Sequence, residues 1–365
     1  MIEVNKEKIK KVDIVIGIPS YNEADNIARV VEQIDKGLVK YFSNKSAVII
    51  NTDNNSSDKT KDIFLSVKTK TPKIYISTPK RIKGKGNNLK NLFLIIRRLK
   101  AKAGATVDAD LKSINSEWIK CLIGPILNGY DYLTPIYNRH KYDATITNNL
   151  CFPTIYGLLG YNIRQPIGGD MGFSGKIVKY WLSQKWPEST KYFGIDIFMT
   201  LNAIKSKVKI GQVDLGAKIH KPSIPKLNDM FLQVVDTLFL FLSNNKDLWN
   251  KKIKTIKKPK LVLKVKSKFK YPEVVFNNKI NKKTLIIDKD LWAQIVYDYF
   301  LDYLKSNNKK KIIKSLRKFY FDRTISFFKE VLDKNDKQAE KLIQEQAQEF
   351  YKTRDYLLEH QKNKE

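Results

Sequence analysis

The sequence predicts an α/β fold, with a mostly parallel sheet flanked by helices and followed by a helical C-terminal domain. Two observations carry this. From residue 12 to about residue 215, short apolar runs alternate with segments of helical periodicity, the pattern of repeated βα units with right-handed crossovers. After Pro225 the alternation stops and long amphipathic stretches take over. A third observation refines the picture: polar or acidic motifs stand just past the apolar runs, where open parallel sheets gather their ligands.

The elements follow in order. Val12 to Ile18 reads as a buried strand, and Glu23 to Lys40 as a helix burying Ile27, Val30, Val31, Ile34 and Leu38. Ala47 to Asn51 is the next strand and Ser57 to Lys68 the next helix, with Ser57 or Asp58 as its cap. Lys73 to Ser77, a helix from Asn87 to about Lys100, a short strand at Ala105 to Asp108 and a strand at Tyr130 to Thr134 complete the alternation that the sequence shows clearly. Ile197 to Ile204 is a further apolar helix. Beyond the boundary, helices are expected at Leu227–Ser243, Asp288–Leu304, about Lys311–Leu332 and Asp336–Gln361, with weak strand alternation at Leu261–Val265. The expected domains are residues 1–225 and 226–365.

Composition sets limits. A chain of 365 residues with 42% hydrophobic and 11% aromatic content supports a large core and is too apolar for disorder. Met1 to Lys11 has no apolar core of a signal peptide, and the 13-residue window Met230–Leu242 is shorter than the ~20 residues of a bilayer span. Cys121 and Cys151 form neither a metal spacing nor a disulfide framework, so a cytoplasmic setting is expected. The net charge of +31 suits an anionic partner, although a lysine-rich composition with solvated side chains explains much of it. The densest run, Lys251–Lys283, has Glu273 as its only acid and is a candidate for peripheral contact with an anionic membrane. No nucleic-acid-binding signature accompanies it, so no nucleic-acid partner is expected. The apolar window at 230–242 is a candidate homodimer surface.

The acidic motif Asp108-Ala109-Asp110 places two carboxylates at a strand end, where they suit a hard divalent cation such as Mg²⁺ or Mn²⁺ together with a substrate diphosphate. It completes an ordered set: Ile18-Pro19-Ser20-Tyr21-Asn22-Glu23, then Asn51 to Thr60 around Asp53, then Gly84-Lys85-Gly86. That order resembles GT-A glycosyltransferases. Gln165 to Asp170, Phe193-Gly194-Ile195-Asp196 and Val213 to His220 are similar to a narrower branch containing mannosylglycerate synthase and glucosyl-3-phosphoglycerate synthase.

The resemblance, which spans residues 12 to about 225, implies a site. Pro19, Tyr21 and Glu23 would line the nucleoside pocket, and Asp53 would face the base. Asn54 stands where the family often has a second acid, which leaves UDP and GDP donors both open. Lys85 would meet the diphosphate and Asp108 the nucleotide sugar. Asp110 and His220 would ligate the metal, and Asp170 and Asp196 would be the catalytic carboxylates. Asp196 also stands where it could cap the helix that follows. Arg139 and Thr145 would bind a small anionic acceptor such as glycerate or 3-phosphoglycerate. The implied reaction is transfer of glucose or mannose with retention of configuration. The competing readings are a polyprenyl-phosphate glycosyltransferase at a membrane surface and a non-catalytic nucleotide-sugar-binding protein.

Overall fold

The computed structural model describes residues 2–221, 224–265 and 284–362. The described residues form two compact units, one of residues 2–138, 167–221 and 260–265 and the other of 139–166, 224–259 and 284–362. One crossing lies between the described residues 221 and 224, where a boundary near 226 was expected. The insertion of 139–166 into the second unit and the return of 260–265 to the first have no compositional signal.

The first unit contains a nine-stranded sheet. In chain order its elements are β1 (Ile2–Val4), β2 (Ile14–Ser20), α1 (Ile27–Tyr41), β3 (Ala47–Asp53), α2 (Thr60–Ser66), β4 (Lys73–Ser77), α3 (Lys85–Arg98), β5 (Ala103–Thr106), α4 (Ser116–Leu127) and β6 (Tyr132–Asn138). The second unit then takes a continuous helical run of π, α and π turns, Thr147–Cys151, α5 (Phe152–Thr154) and Ile155–Leu159. Back in the first unit come β7 (Gly172–Ser174), α6 (Gly175–Ser183), α7 (Gly194–Lys205) and β8 (Ile210–Ala217). The sheet order is β1-β4-β3-β2-β5-β7-β6-β8-β9, where β9 is Lys260–Lys264.

The pairings β2 with β3 and β5, β3 with β4, β6 with β8 and β8 with β9 are parallel, as expected of βα units. β1 and β7 run antiparallel to their neighbours. Neither was expected: three residues are too few to show a period. Alternation along β2 explains the layers. Ile14, Ile16 and Ile18 face a core shared with α1 and α4, while Val15 faces a second core shared with α3, α6 and α7. The order β4-β3-β2-β5 also reverses strand progression at β2/β5, which puts the topological switch point, where open sheets gather ligands, beyond Ser20 and Thr106.

The second unit is helical apart from an isolated bridge, Tyr161 to Lys257. α8 (Leu227–Ser243), α9 (Lys246–Trp249), α10 (Lys289–Lys305), α11 (Lys309–Glu330), α12 (Asp336–Lys352) and α13 (Arg354–Lys362) follow one another. The apolar face of α8 is covered within its own unit: Phe231 stacks on Tyr320 at 4.4 Å, and Phe239 packs against Phe300 and Tyr303 at 5.1 and 5.4 Å. No described helix is long and apolar enough to cross a membrane. Residues 266–283 of the lysine-rich run lie outside the described residues.

In the second core, Trp181 packs on Phe93, Phe173 and Tyr132 with ring centroids 5.2 to 5.6 Å apart, joining α3, α6 and the antiparallel strands. Trp181→Ala is expected to lower stability by about 3–5 kcal/mol in chemical denaturation. A loss under 1 kcal/mol would mean the cluster is dispensable.

Candidate active site

The site is assembled from strand ends. At the end of β2 and β3 the sequence places small polar residues, and these stitch two loops together. The Asp53 carboxylate is buried and accepts four hydrogen bonds: Ser20 Oγ at 3.0 Å, Ser56 Oγ at 2.5 Å, Ser56 N at 2.8 Å and the Tyr75 hydroxyl at 2.9 Å. Burial and the neighbouring Asp53 charge push the Tyr75 phenol up, so it stays a donor. Both Asp53 oxygens are thus engaged by donors from β2, β4 and its own loop, at the position where the resemblance has it face the base. Asn22, at φ 53°, receives Ser57 N on its Oδ1 at 2.9 Å and donates its own N–H to Ser56 Oγ at 2.8 Å.

Around this frame, Pro19 lies buried within β2, and Tyr21 is 42% exposed with the Lys83 ammonium 4.9 Å from its ring centroid. Glu23 accepts from Lys221 Nζ at 2.7 Å and from Asn26 Nδ2 at 3.0 Å.

Past β4, the glycines fix one lysine. A Cβ on Gly86 would lie 1.6 Å from the Thr190 carbonyl, and Gly84 has φ 122° with its would-be Cβ 2.2 Å from the Lys191 carbonyl. The pair thus lets the start of α3 press against the 190–191 turn, which is a packing requirement rather than loop flexibility. Lys85 then reaches Asp108 Oδ1 at 3.2 Å and Asp196 Oδ2 at 3.1 Å. Burial alone would draw the Lys85 pKa down, but the Asp108 and Asp196 carboxylates overcome this and hold it above its ordinary value.

A second lysine closes the set. Lys218, at the end of β8 with its side chain 4% exposed, meets Asp108 Oδ2 at 2.8 Å, Asp170 Oδ2 at 2.7 Å and the Gly168 carbonyl at 2.8 Å. Those three acceptors use the three N–H bonds of an ammonium. Asp170, fully buried, also accepts the Asp108 N–H on Oδ1 at 2.8 Å and the Tyr137 hydroxyl on Oδ2. Gly169 has φ +89°, and a Cβ there would stand 2.5 Å from Asp108 Oδ2. The result is an alternating row: Asp196, Lys85, Asp108, Lys218, Asp170.

Charge follows position. Burial opposes ionisation of Asp108, but Lys218 and Lys85, with a smaller contribution from His220, hold its carboxyl well below the usual range. Asp170 and Asp196 are raised, because burial dominates and Asp108 adds like charge against their lysine partners. Asp196 sits in the first turn of α7 without capping it. Its Oδ2 holds Lys85, and its buried Oδ1 has no hydrogen-bond partner.

Asp110 and His220 were expected to share a cation. The Lys221 N–H donates to Asp110 Oδ2 at 3.2 Å, which brings the His220–Lys221 turn onto that carboxylate, and His220 acts electrostatically on Asp108. No group of three metal-binding side chains occurs among the described residues. Two donors completed by diphosphate oxygens and water nonetheless fit Mg²⁺, which keeps several waters and seldom has an all-protein cage.

Arg139 and Thr145 belong to the second unit. Arg139 donates to Asp143 at 2.7 Å and to Gln165 at 3.2 Å, and the buried Thr145 hydroxyl pairs with the Tyr320 hydroxyl at 2.6 Å. The sequence reading missed Lys218, Tyr137 and Lys221, although all three stand inside or beside motifs it singled out. A lysine at the end of an apolar strand, Val213 to Ala217, was the available signal.

The family model of glycosyl transferase family 2 matches residues 15–180. No curated protein matches the sequence. Among solved structures, glucosyl-3-phosphoglycerate synthase from Mycobacterium tuberculosis with Mg²⁺ and UDP is similar at TM-score 0.51 and 22% identity, over 63% of this chain and 79% of that one. The same enzyme with Mn²⁺, UDP-glucose and phosphoglyceric acid matches at 0.51 and 22%, over 63% and 79%. A mycobacterial protein matches at 0.52 and 23%, over 63% and 74%. At these identities the likeness is one of fold.

Asp53→Ala is expected to cost about 3 kcal/mol of stability, since it strands buried donors from Ser20, Ser56 and Tyr75. Urea unfolding decides the matter: a solvent-facing, base-reading carboxylate would lose almost nothing.

Proposed function

With residues 15–180 forming a glycosyl transferase family 2 domain on a GT-A fold, and the chain therefore a nucleotide-sugar-dependent glycosyltransferase, we propose that it transfers a hexose, glucose or mannose, to a small anionic acceptor with retention of configuration. One observation carries this reading: two buried ammoniums alternate with three carboxylates at the strand ends, and one Asp196 oxygen is left without a partner. Such a row can take up a diphosphate and a sugar without stranding a charge.

In this reading Lys85, at the start of α3, meets the diphosphate together with the helix N-terminus. The unpartnered Oδ1 of Asp196 accepts a hydrogen bond from a sugar hydroxyl. Asp108 orients both lysines, and Asp170 is a positioning residue, because its oxygens are committed to Lys218, Tyr137 and the Asp108 backbone. Tyr21 supplies a face for the base and Glu23 accepts from the ribose once Lys221 gives way. Asp110 and His220 would hold Mg²⁺ or Mn²⁺, which when bound neutralises charge on the departing nucleotide diphosphate.

The bond between the anomeric carbon and the diphosphate oxygen breaks, a bond to the acceptor oxygen forms on the same face, and the leaving diphosphate takes the acceptor proton. Arg139, held by Asp143 and Gln165, is the proposed partner of the acceptor anion, with Thr145 orienting its loop through Tyr320. A small anionic acceptor is supported by the M. tuberculosis enzyme, whose complex contains phosphoglyceric acid.

The decisive assay is nucleotide diphosphate release with UDP- and GDP-sugars, Mg²⁺ or Mn²⁺, and glycerate or 3-phosphoglycerate. Acceptor-dependent release that falls by at least roughly a hundredfold in Asp110→Ala supports the reading; turnover unchanged by the substitution refutes it. A pH profile adds a second test. The donor sugar needs Asp196 ionised, and burial raises its pKa, so activity should fall on acidification at a pH above the ordinary aspartate range. Asp196→Asn should remove that acid limb along with most of the rate, and a limb that survives the substitution belongs to another group.

A further inference from the structure

α11 begins with a cationic stretch: Lys309, Lys310, Lys311, Lys314, Arg317 and Lys318, with no acid before Asp322. Positions 310, 314, 317 and 318 recur at i, i+4, i+7 and i+8, which places them on one helix face. Lys310, Lys314 and Lys318 are exposed and Arg317 is half-buried. None of these four is ion-paired with a described residue, so their charge is presented to solvent.

Further along the same helix, against the turns that follow Lys318, lies an apolar pair. Leu285 and Ile286 are 51% and 78% exposed, and Ile286 is among the most exposed large hydrophobic residues of the described chain. They are pinned rather than loose. Ile287 N donates to Ser326 Oγ at 2.9 Å, Ile287 O accepts from Arg323 Nη1 at 2.8 Å, and Leu285 O accepts from Ser326 Oγ at 3.5 Å. Asp322 stands one turn beyond Lys318, and the next residues, Arg323 and Ser326, hold the segment that carries the aliphatic pair.

We propose that this surface of the second unit, the Lys310–Lys318 face of α11 with the Leu285–Ile286 pair, docks peripherally on an anionic lipid surface. Charge complementarity selects a polyanion, and the adjacent aliphatic pair selects lipid. Single-stranded nucleic acid is gripped by stacking on aromatic rings, whereas two solvent-facing aliphatic side chains suit the headgroup–acyl boundary. The docking is independent of which sugar or acceptor the catalytic site takes.

Flotation of the full chain with vesicles of phosphatidylcholine alone, or with 30% (roughly) phosphatidylglycerol, tests this. Binding is expected only with the anionic lipid, weakening as salt rises. The triple variant Lys310→Gln/Lys314→Gln/Lys318→Gln should reduce partitioning by roughly a hundredfold. Ile286→Ser should reduce it by roughly tenfold at unchanged charge. A charge-matched control, Lys36→Gln/Lys45→Gln/Lys100→Gln in the first unit, should bind nearly as the parent does. All the substituted side chains are exposed, so thermal unfolding should be unaltered. An equal loss in the control triple would show that net charge alone acts, and no loss in Ile286→Ser would show a polyanion surface without lipid insertion. Either result overturns the proposal.

Discussion

The candidate site depends on one electrostatic constraint: carboxylates buried beside one another can remain ionised only if cations are interleaved between them. Asp108, Asp170 and Asp196 are drawn together by three different strand or helix ends, and burial opposes the charge on each. Lys85 and Lys218 make the arrangement tolerable by bridging successive pairs. The backbone is shaped to the same end. Gly84 and Gly86 admit Lys85, and Gly169, at φ +89°, leaves room for the Asp108–Lys218 pair.

That constraint also sorts the carboxylates by availability. Asp170 and Asp53 accept protein donors on both oxygens, while Asp196 retains one buried oxygen without a hydrogen-bond partner. Asp108 spends both oxygens on the Lys85 and Lys218 ammoniums, whereas Asp110, two residues on, accepts only the Lys221 backbone N–H among the hydrogen bonds described. Carboxylates that look equivalent in a motif are thereby given different work by the donors that reach them.

Much of this was legible in the sequence, and the limits are physical. The strands β2, β3 and β4 and the helix α8 were readable because each is long or apolar enough to show its period. The antiparallel β7 was not, because Gly172–Ser174 is too short, yet it places Asp170. Motif order located Lys85, Asp108 and Asp196 in one place, but spacing says nothing of which oxygen meets which donor. The donors that Ser20, Ser56 and Tyr75 bring to Asp53 are an example: they come from three separate segments, and no spacing announces them. Lys218 escaped notice because a buried lysine leaves no periodic trace; only the three acceptors around its ammonium explain it. The return of residues 260–265 to the first unit was invisible for a related reason, since β9 is a half-exposed edge strand in a lysine-rich stretch.

The most direct test of the interleaved-charge account is a double-mutant cycle on unfolding free energy with Lys218→Met, Asp170→Asn and the double variant. Lys218→Met alone leaves two adjacent buried carboxylates and should cost about 3–5 kcal/mol. Adding Asp170→Asn removes one of them and should restore most of that loss, giving a coupling energy of about 2 kcal/mol or more. Losses that simply add would show that Lys218 and Asp170 act independently, contradicting the account.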